Sequence, residues 1–263
     1  MSFLHDLKVL IRSKSLDFVR AKNYSPKRRG DELYTFQWNG HSVHYRPGTS
    51  DRGLIYEILI RKSQDAEYYV AEQVSPTTIF DIGANIGITA IWLAQKYPKA
   101  KIYCFEPMPE NFDLLRRNTS DFKNIETFNF GLSNSSGQFE IFPNSDVKNL
   151  GGFSLHQLRD DQDNLGTQTS PSTKIEIRDA SEFIEAMKIS SVDLIKIDTE
   201  GSEFSILSSI PETMLKNCQW IMGEVHGVKN FETMALLDPY FRLSFNKKQT
   251  SELFTFFGIN RSC

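Results

Sequence analysis

Thr78-Ile79-Phe80-Asp81-Ile82-Gly83-Ala84-Asn85-Ile86-Gly87 is the stretch on which the reading of the whole chain turns. Its first half is a short apolar run after Pro76, the pattern of a strand covered on both faces. Its second half places glycines at 83 and 87, which allow a tight turn and close backbone approach, and then opens the helical pattern ITAIWLAQKY. Strand, glycine turn and helix make the first unit of an open α/β sheet, whose ligands gather at the carboxyl ends of the strands. A Gly-x-x-x-Gly pair alone serves helix–strand packing equally well, so the neighbouring residues must decide.

Downstream, short apolar runs alternate with helical patterns: KIYCFE (101–106), a helix near Glu110 to Asn118, IETFNF (125–130), VDLIKID (192–198) and QWIMGEV (219–225). Such alternation predicts right-handed βαβ units and a mainly parallel sheet with helices on both faces. FRLSFN (241–246) and LFTFFGIN (253–260) follow without room for a long crossover helix, which predicts an antiparallel edge hairpin. Upstream, LYTFQWNGHSVHY (33–45) reads as a hairpin turning at Asn39-Gly40, followed by a polar, helix-compatible stretch from Asp51 to Gln73. The chain is thus divided into an N-terminal helical and hairpin extension, 1–75, and a ligand-binding domain, 76–263. Between Pro143 and Thr173 it is polar and glycine-rich; Gly152, Phe153, Ser154 and His156 are candidates to cover an acceptor pocket.

Composition excludes several classes. With 40% hydrophobic and 24% charged residues the chain is a folding one. No run of about 18 apolar residues exists, which predicts neither a spanning helix nor a secretory leader and places the protein in the cytosol. Three cysteines without C-x-x-C spacing predict free thiols, Cys104 packed in a strand. The net charge of −3 conceals eight Lys or Arg in residues 1–30, so the remainder is acidic and offers nucleic acid no broad basic footprint. Leu4, Leu7, Ile11 and Phe18 recur at helical spacing within that basic segment; packing on the chain's own domain or on a second copy is the preferred reading, contact with a membrane surface or partner the other. His41 and His44 are read as sheet residues, since two histidines make no metal site.

Glu106 sharpens the ligand. It ends the next strand, where an acidic residue reaches a ribose diol, and its two oxygens can accept both hydroxyl protons. A dinucleotide is disfavoured, because Asn85 stands where the second glycine of the G-x-G-x-x-G pattern belongs. S-adenosylmethionine has no phosphate, and Asp81, the backbone at Gly83 and the Asn85 amide suit its amino-acid end.

The segments TIFDIGANIGITA, KIYCFEPMPENFDLLRRN, GLS, DLIKIDTEGSE and GEVHG resemble the FkbM family of S-adenosylmethionine-dependent methyltransferases over residues 79–133 and 192–227, and PGTSD and AEYYV look like that family's lead-in. The resemblance implies a class I methyltransferase (Rossmann-like) α/β fold with a seven-stranded sheet. It also implies a cofactor held by Asp81, Gly83, Ala84, Asn85, Gly87, Glu106 and Pro107, with adenine near Gly131 and Leu132, and oxygen rather than nitrogen as the acceptor.

A second cluster, Lys196 to Glu203, leaves its strand at the same sheet edge as Asp81, and Glu224 and His226 leave the following one there too. Methyl transfer is an in-line displacement that depends on alignment, and the acceptor's proton needs a destination. His226 has the intrinsic pKa of a general base, with Asp198 and Glu200 to orient it or hold the acceptor. A metal-free site is the preferred reading; a divalent cation on Asp198, Glu224 and His226 is the alternative. Glu203 is read as a helix cap or pairing residue. The expected activity is methylation of a hydroxyl on a sugar, glycoconjugate or natural product, the chain acting alone or as a homo-oligomer. An inactive cofactor-binding module in a biosynthetic assembly and a nicotinamide-dependent dehydrogenase are the competing readings.

Overall fold

The computed structural model describes residues 3–21, 33–61, 68–141, 173–226, 229–247 and 254–263. The segment expected to cover the acceptor pocket, with Gly152, Phe153, Ser154 and His156, lies outside them, as do the basic residues Lys22, Lys27, Arg28 and Arg29. In chain order the elements are α1 (Phe3–Ser13), α2 (Leu16–Arg20), β1 (Tyr34–Trp38), β2 (His41–Tyr45) and α3 (Asp51–Leu54), which runs on as a wider π-helical turn, Ile55–Ile60. They continue with β3 (Thr78–Ile82), α4 (Ile88–Lys96), β4 (Lys101–Phe105), α5 (Pro109–Thr119), β5 (Ile125–Phe128), β6 (Gly131–Ser133) and β7 (Gly137–Ile141). After the long segment come β8 (Thr173–Asp179), α6 (Ala180–Ala186), β9 (Leu194–Ile197), α7 (Glu203–Ser209), α8 (Glu212–Asn217), β10 (Trp220–Val225), α9 (Asn230–Leu237), β11 (Phe241–Lys247) and β12 (Phe254–Asn260).

Each expected apolar run forms a strand, and seven of them make one sheet in the order β11-β12-β10-β9-β3-β4-β5. Pairing is parallel from β10 through β5, while β12 lies antiparallel between β10 and β11, so the closing hairpin puts its last strand inside and β11 at the edge. This is the class I methyltransferase arrangement. The order reverses between β3 and β9, and that crevice is where such sheets receive ligands. A second, three-stranded sheet, β6-β8-β7, stands beside the first and has no counterpart in the sequence reading. Its first strand has three residues, too short for a period-two signal.

Side chains alternate across the sheet and build two cores. Ile79, Ile102, Leu194 and Met222 face one, Phe80, Phe105, Ile195 and Ile221 the other. The first core also holds Val9, Phe18, Phe36 and Tyr45, so the N-terminal elements share an interior with the sheet. Polar ties reinforce this: buried Asp51 takes two hydrogen bonds from the Arg46 guanidinium, each 2.8 Å, and Arg46 also donates to Asn111 on α5. The Asn118 amide donates to the carbonyls of His44 and Ile86, at 3.0 and 2.8 Å, stapling the hairpin to the glycine turn. The hairpin turns at Asn39 and Gly40, φ 46° and 87°, as its sequence required.

The apolar stripe expected of the first segment is not the face that packs. Leu7 and Ile11 are exposed and Val9 is buried. The helical period breaks at Lys14, φ 54°, after which Ser15 caps α2 by accepting from the Phe18 amide at 3.1 Å. Phe18 therefore belongs to a new helix and turns inward onto Phe36 and Tyr45. His41 and His44 sit three apart and so on opposite faces of the hairpin; His41 packs on Phe122, and His44 Nδ1 lies 3.1 Å from the Thr35 hydroxyl. Cys104 and Cys218 are buried free thiols and Cys263 is exposed. Among the described residues no helix is long and apolar enough to cross a membrane.

One glycine in the sheet has no room for a side chain: a Cβ on Gly223 would lie 1.7 Å from the Ile197 carbonyl oxygen of the adjacent strand. Gly223→Ala must push backbone apart, and we expect a loss of about 2–3 kcal/mol in urea unfolding. Gly53→Ala, on the open side of α3 with nothing within 4 Å of the new methyl, should instead change stability by less than about 1 kcal/mol, in the stabilising direction.

Candidate active site

Strand register assembles the site. Asp81 on β3 pairs directly with Lys196 on β9. By period two, Asp198 follows on the same face as Lys196, and Glu224 on β10 follows on the same face as Met222. Four charged groups thus emerge from three adjacent strands at one edge.

Asp81 and Lys196 are 0% and 3% exposed, with Lys196 Nζ 3.3 Å from Asp81 Oδ1. The ammonium also donates to the Gly83 carbonyl at 2.6 Å. Burial alone would lower the Lys196 ammonium; the charges of Asp81, Asp198 and Glu106 outweigh it and raise the group above its ordinary value. Burial pushes the Asp81 carboxyl up, and Lys196 draws it back only in part.

The glycine turn follows. Gly83 has φ 75°, and a Cβ there would fall 1.9 Å from the Asp198 carbonyl oxygen, so the turn lies against the backbone that leaves β9. Asn85, φ 49°, and Gly87, φ 88°, complete it, with Ala84 buried between. Glu106 locks the turn to the next strand end: its carboxylate accepts from the Asn85 amide at 2.8 Å and the Met108 amide at 2.9 Å. Burial holds the Glu106 carboxyl at about 7, against the pull of those two amides and of Lys196. Pro107 lies against Gly131, where an added Cβ would sit 3.4 Å from its Cγ. Leu132 packs its side chain into the second core, leaving only its backbone to line a pocket.

Across the crevice, Asp198 Oδ2 accepts from the Tyr68 hydroxyl at 3.1 Å. Burial raises the Asp198 carboxyl; Lys196 opposes this and Glu224 adds to it. Glu200, in left-handed backbone with φ 54°, is raised to about 7, chiefly by burial. His226 sits among carboxylates, Nδ1 3.0 Å from Glu203 Oε1 and Nε2 3.4 Å from Glu224 Oε2 and 3.5 Å from Glu200 Oε2. Burial would lower its pKa, but the hydrogen bonds to Glu203 and Glu224 and the charges of Glu203 and Asp198 push it up to about 11.

The expected residues therefore gather at one sheet edge in two groups, Asp81 to Gly87 with Glu106 and Asp198 to His226. Tyr68 was missed, and Lys196 and Glu203 were named without these contacts. Tyr68 is 130 positions from Asp198, beyond the reach of any local pattern. Lys196 did leave a signal, a charge in the middle of the fully buried strand LIKI. Glu203 opens α7 yet accepts from the Thr199 and Gly201 amides behind it, at 3.1 and 3.2 Å, and so holds His226 in place as well.

A sequence profile described as the methyltransferase FkbM domain matches residues 81–258. The methyltransferase sdnD of Sordaria araneosa is 28% identical over 173 residues, covering 55% of this chain and 64% of that protein. Hexuronic acid methyltransferase AglP of Haloferax volcanii is 25% identical over 169 residues, 64% of each chain. The 2-O-methyltransferase NoeI of Sinorhizobium fredii is 26% identical over 143 residues, 52% of this chain and 59% of its own length. The chain thus spans less than two thirds of each of these relatives.

Two outcomes follow from the electrostatics. Lys196→Met leaves Asp81 charged and unpaired out of water and should cost about 3–5 kcal/mol in chemical unfolding, part of which Asp81→Asn in the same chain recovers. Glu106 is held at about 7 when folded against 4.5 ordinarily, so the stability it contributes is fully present below pH 4.5 and is lost as pH rises through about 7. Unfolding of the ligand-free protein across that window should show a fall of which Glu106→Gln removes a part on the order of 3 kcal/mol.

Proposed function

The chain belongs to the methyltransferase FkbM domain family, and on that premise we propose that it transfers a methyl group from S-adenosylmethionine to a hydroxyl oxygen of a sugar, glycoconjugate or related natural product. The observation that carries the reading is the contact of the two residue groups: the Gly83 turn lies against the Asp198 backbone, and Lys196 ties the turn to β9. A ligand in the turn and an acceptor beside Asp198 would meet across one strand spacing.

The residues fit the cofactor. Asn85 Oδ1 is buried without a hydrogen-bond partner, and Asp81, whose Oδ1 is ion-paired with Lys196, keeps Oδ2 without one, which favours a ligand carrying N–H donors. Glu106 spends one acceptor site per oxygen on the Asn85 and Met108 amides and keeps others for a ribose diol. S-adenosylmethionine, when bound, supplies an electrophilic methyl whose bond to sulfur breaks, the electron pair staying on sulfur, as the acceptor oxygen bonds to carbon.

The chain's own contribution is alignment and a proton acceptor. Both ring nitrogens of His226 face carboxylates, so His226 positions rather than receives the proton. Glu200 is the better base, since its side chain is 32% exposed while those of His226 and Glu224 are 10% and 8%. Asp198, fixed by Tyr68, accepts a hydrogen bond from an acceptor hydroxyl and aims it. The relatives named for hexuronic acid and 2-O-methylation support a sugar hydroxyl as the acceptor.

Calorimetric titration with S-adenosylhomocysteine tests the reading. Binding should weaken about 10–100-fold in Glu106→Ala, the loss of charged hydrogen bonds to the ribose, and also in Asp81→Asn. Preference for a nicotinamide dinucleotide would instead identify a dehydrogenase, and adenosyl binding without transfer to any glycoside hydroxyl would identify an inactive module.

A further inference from the structure

The ends of β9 and β10 bring Asp198, Glu224 and His226 so close that one ligand atom from each lies within 4.8 Å of the other two. Two features separate this group from a chance gathering of acids. The first is the orientation of the imidazole. Glu203 holds Nδ1 at 3.0 Å and is itself held by the Thr199 and Gly201 amides, so the ring is fixed with Nε2 turned to the other carboxylates. A carboxylate behind the far nitrogen is how proteins set the tautomer and direction of a metal-binding histidine.

The second feature is spacing. His226 Nε2 lies 3.4 Å from Glu224 Oε2, and the ligand atoms of Asp198, Glu224 and His226 all fall within 4.8 Å of one another. Ligand atoms about 3.0–3.5 Å apart are what bonds of about 2.1–2.4 Å to a six-coordinate ion require. Charge points the same way: Asp198, Glu200, Glu203 and Glu224 surround one imidazole, and the nearby Lys196 is shared with Asp81 and the Gly83 carbonyl.

We propose that Asp198, Glu224 and His226 bind a divalent cation of the Mg²⁺ or Mn²⁺ class, leaving open positions for the oxygens of the acceptor. One nitrogen and two carboxylates suit Mn²⁺ better than the all-oxygen cages of Ca²⁺. In the proposed transfer, on which only the ion's role rests, vicinal hydroxyls of a sugar chelate the ion. The bound hydroxyl gives its proton to Glu200, and its oxygen takes the methyl. This takes up the alternative that the sequence left beside the metal-free reading, on two features, Glu203 behind the ring and the spacing before it, that are not visible in one dimension.

The test is Mn²⁺ titration of the metal-stripped full chain, followed by loss of the free-ion electron paramagnetic resonance signal and by pulsed measurement of nitrogen coupling. We expect one ion per chain and coupling to a single imidazole nitrogen. Asp198→Asn and Glu224→Gln should each weaken binding at least tenfold, and His226→Gln should abolish the coupling, with circular dichroism verifying the fold. No binding by the wild-type chain at millimolar Mn²⁺, or binding without nitrogen coupling, overturns the site. S-adenosylhomocysteine binding by the same metal-free protein reports separately: nucleoside bound without Mn²⁺ removes the cation site alone, and Mn²⁺ bound without nucleoside removes the cofactor reading alone.

Discussion

Lys196 facing Asp81 across neighbouring parallel strands, both out of water, is the constraint around which the rest is arranged. A buried ion pair of this kind returns little net stability, because two ions lose their hydration. What it provides is position. The Lys196 hydrogen bond to the Gly83 carbonyl ties the turn after β3 to β9 at the point where strand order reverses. The Gly83 turn can then lie against Asp198 only because it lacks a side chain. Register, ion pair and glycine together bring the Asp81–Gly87 turn and the end of β9 at Asp198 into contact.

The same edge concentrates negative charge. Glu106 is held near 7 by burial, Glu200 likewise, and Asp198 is raised above its usual range. Neighbouring carboxylates, Glu203 and Glu224 first, raise His226 to about 11 against the effect of burial. Sites in which several titrations are displaced together are where binding and chemistry concentrate.

The two sides of the sheet carry different loads. One core is shared with the N-terminal helices and the hairpin, through Val9, Phe18 and Tyr45, and is stapled by Asn118 and Arg46. The other is an aromatic cluster, Phe105, Phe128, Phe130 and Phe183, with ring centroids 5.1–5.9 Å apart. That cluster anchors the small sheet beside the adenine side of the expected cofactor mouth. The site thus stands on a frame packed on both faces, which suits chemistry that depends on alignment.

Much of this was legible in one dimension. The strands of the main sheet, the hairpin at Asn39-Gly40 and the turn from Asp81 to Gly87 follow from short-range signals, period two, glycine and asparagine at positive φ, an acid at a strand end, and the family from the resemblance of its motifs. The small sheet was not legible, since a three-residue strand and a partner more than forty positions away leave no periodic trace. Nor was the outward face of the first helix, because its period breaks at Lys14. At the site, the sequence determined which residues would reach the sheet edge, because alternation along a strand assigns each side chain its face. Only the tertiary structure decided what those residues do. Neighbouring carboxylates raise His226 above its ordinary pKa against the effect of burial, and folding places Tyr68 on Asp198 and Glu203 behind the imidazole. Those roles depend on distances between distant parts of the chain, and such distances exist only after folding.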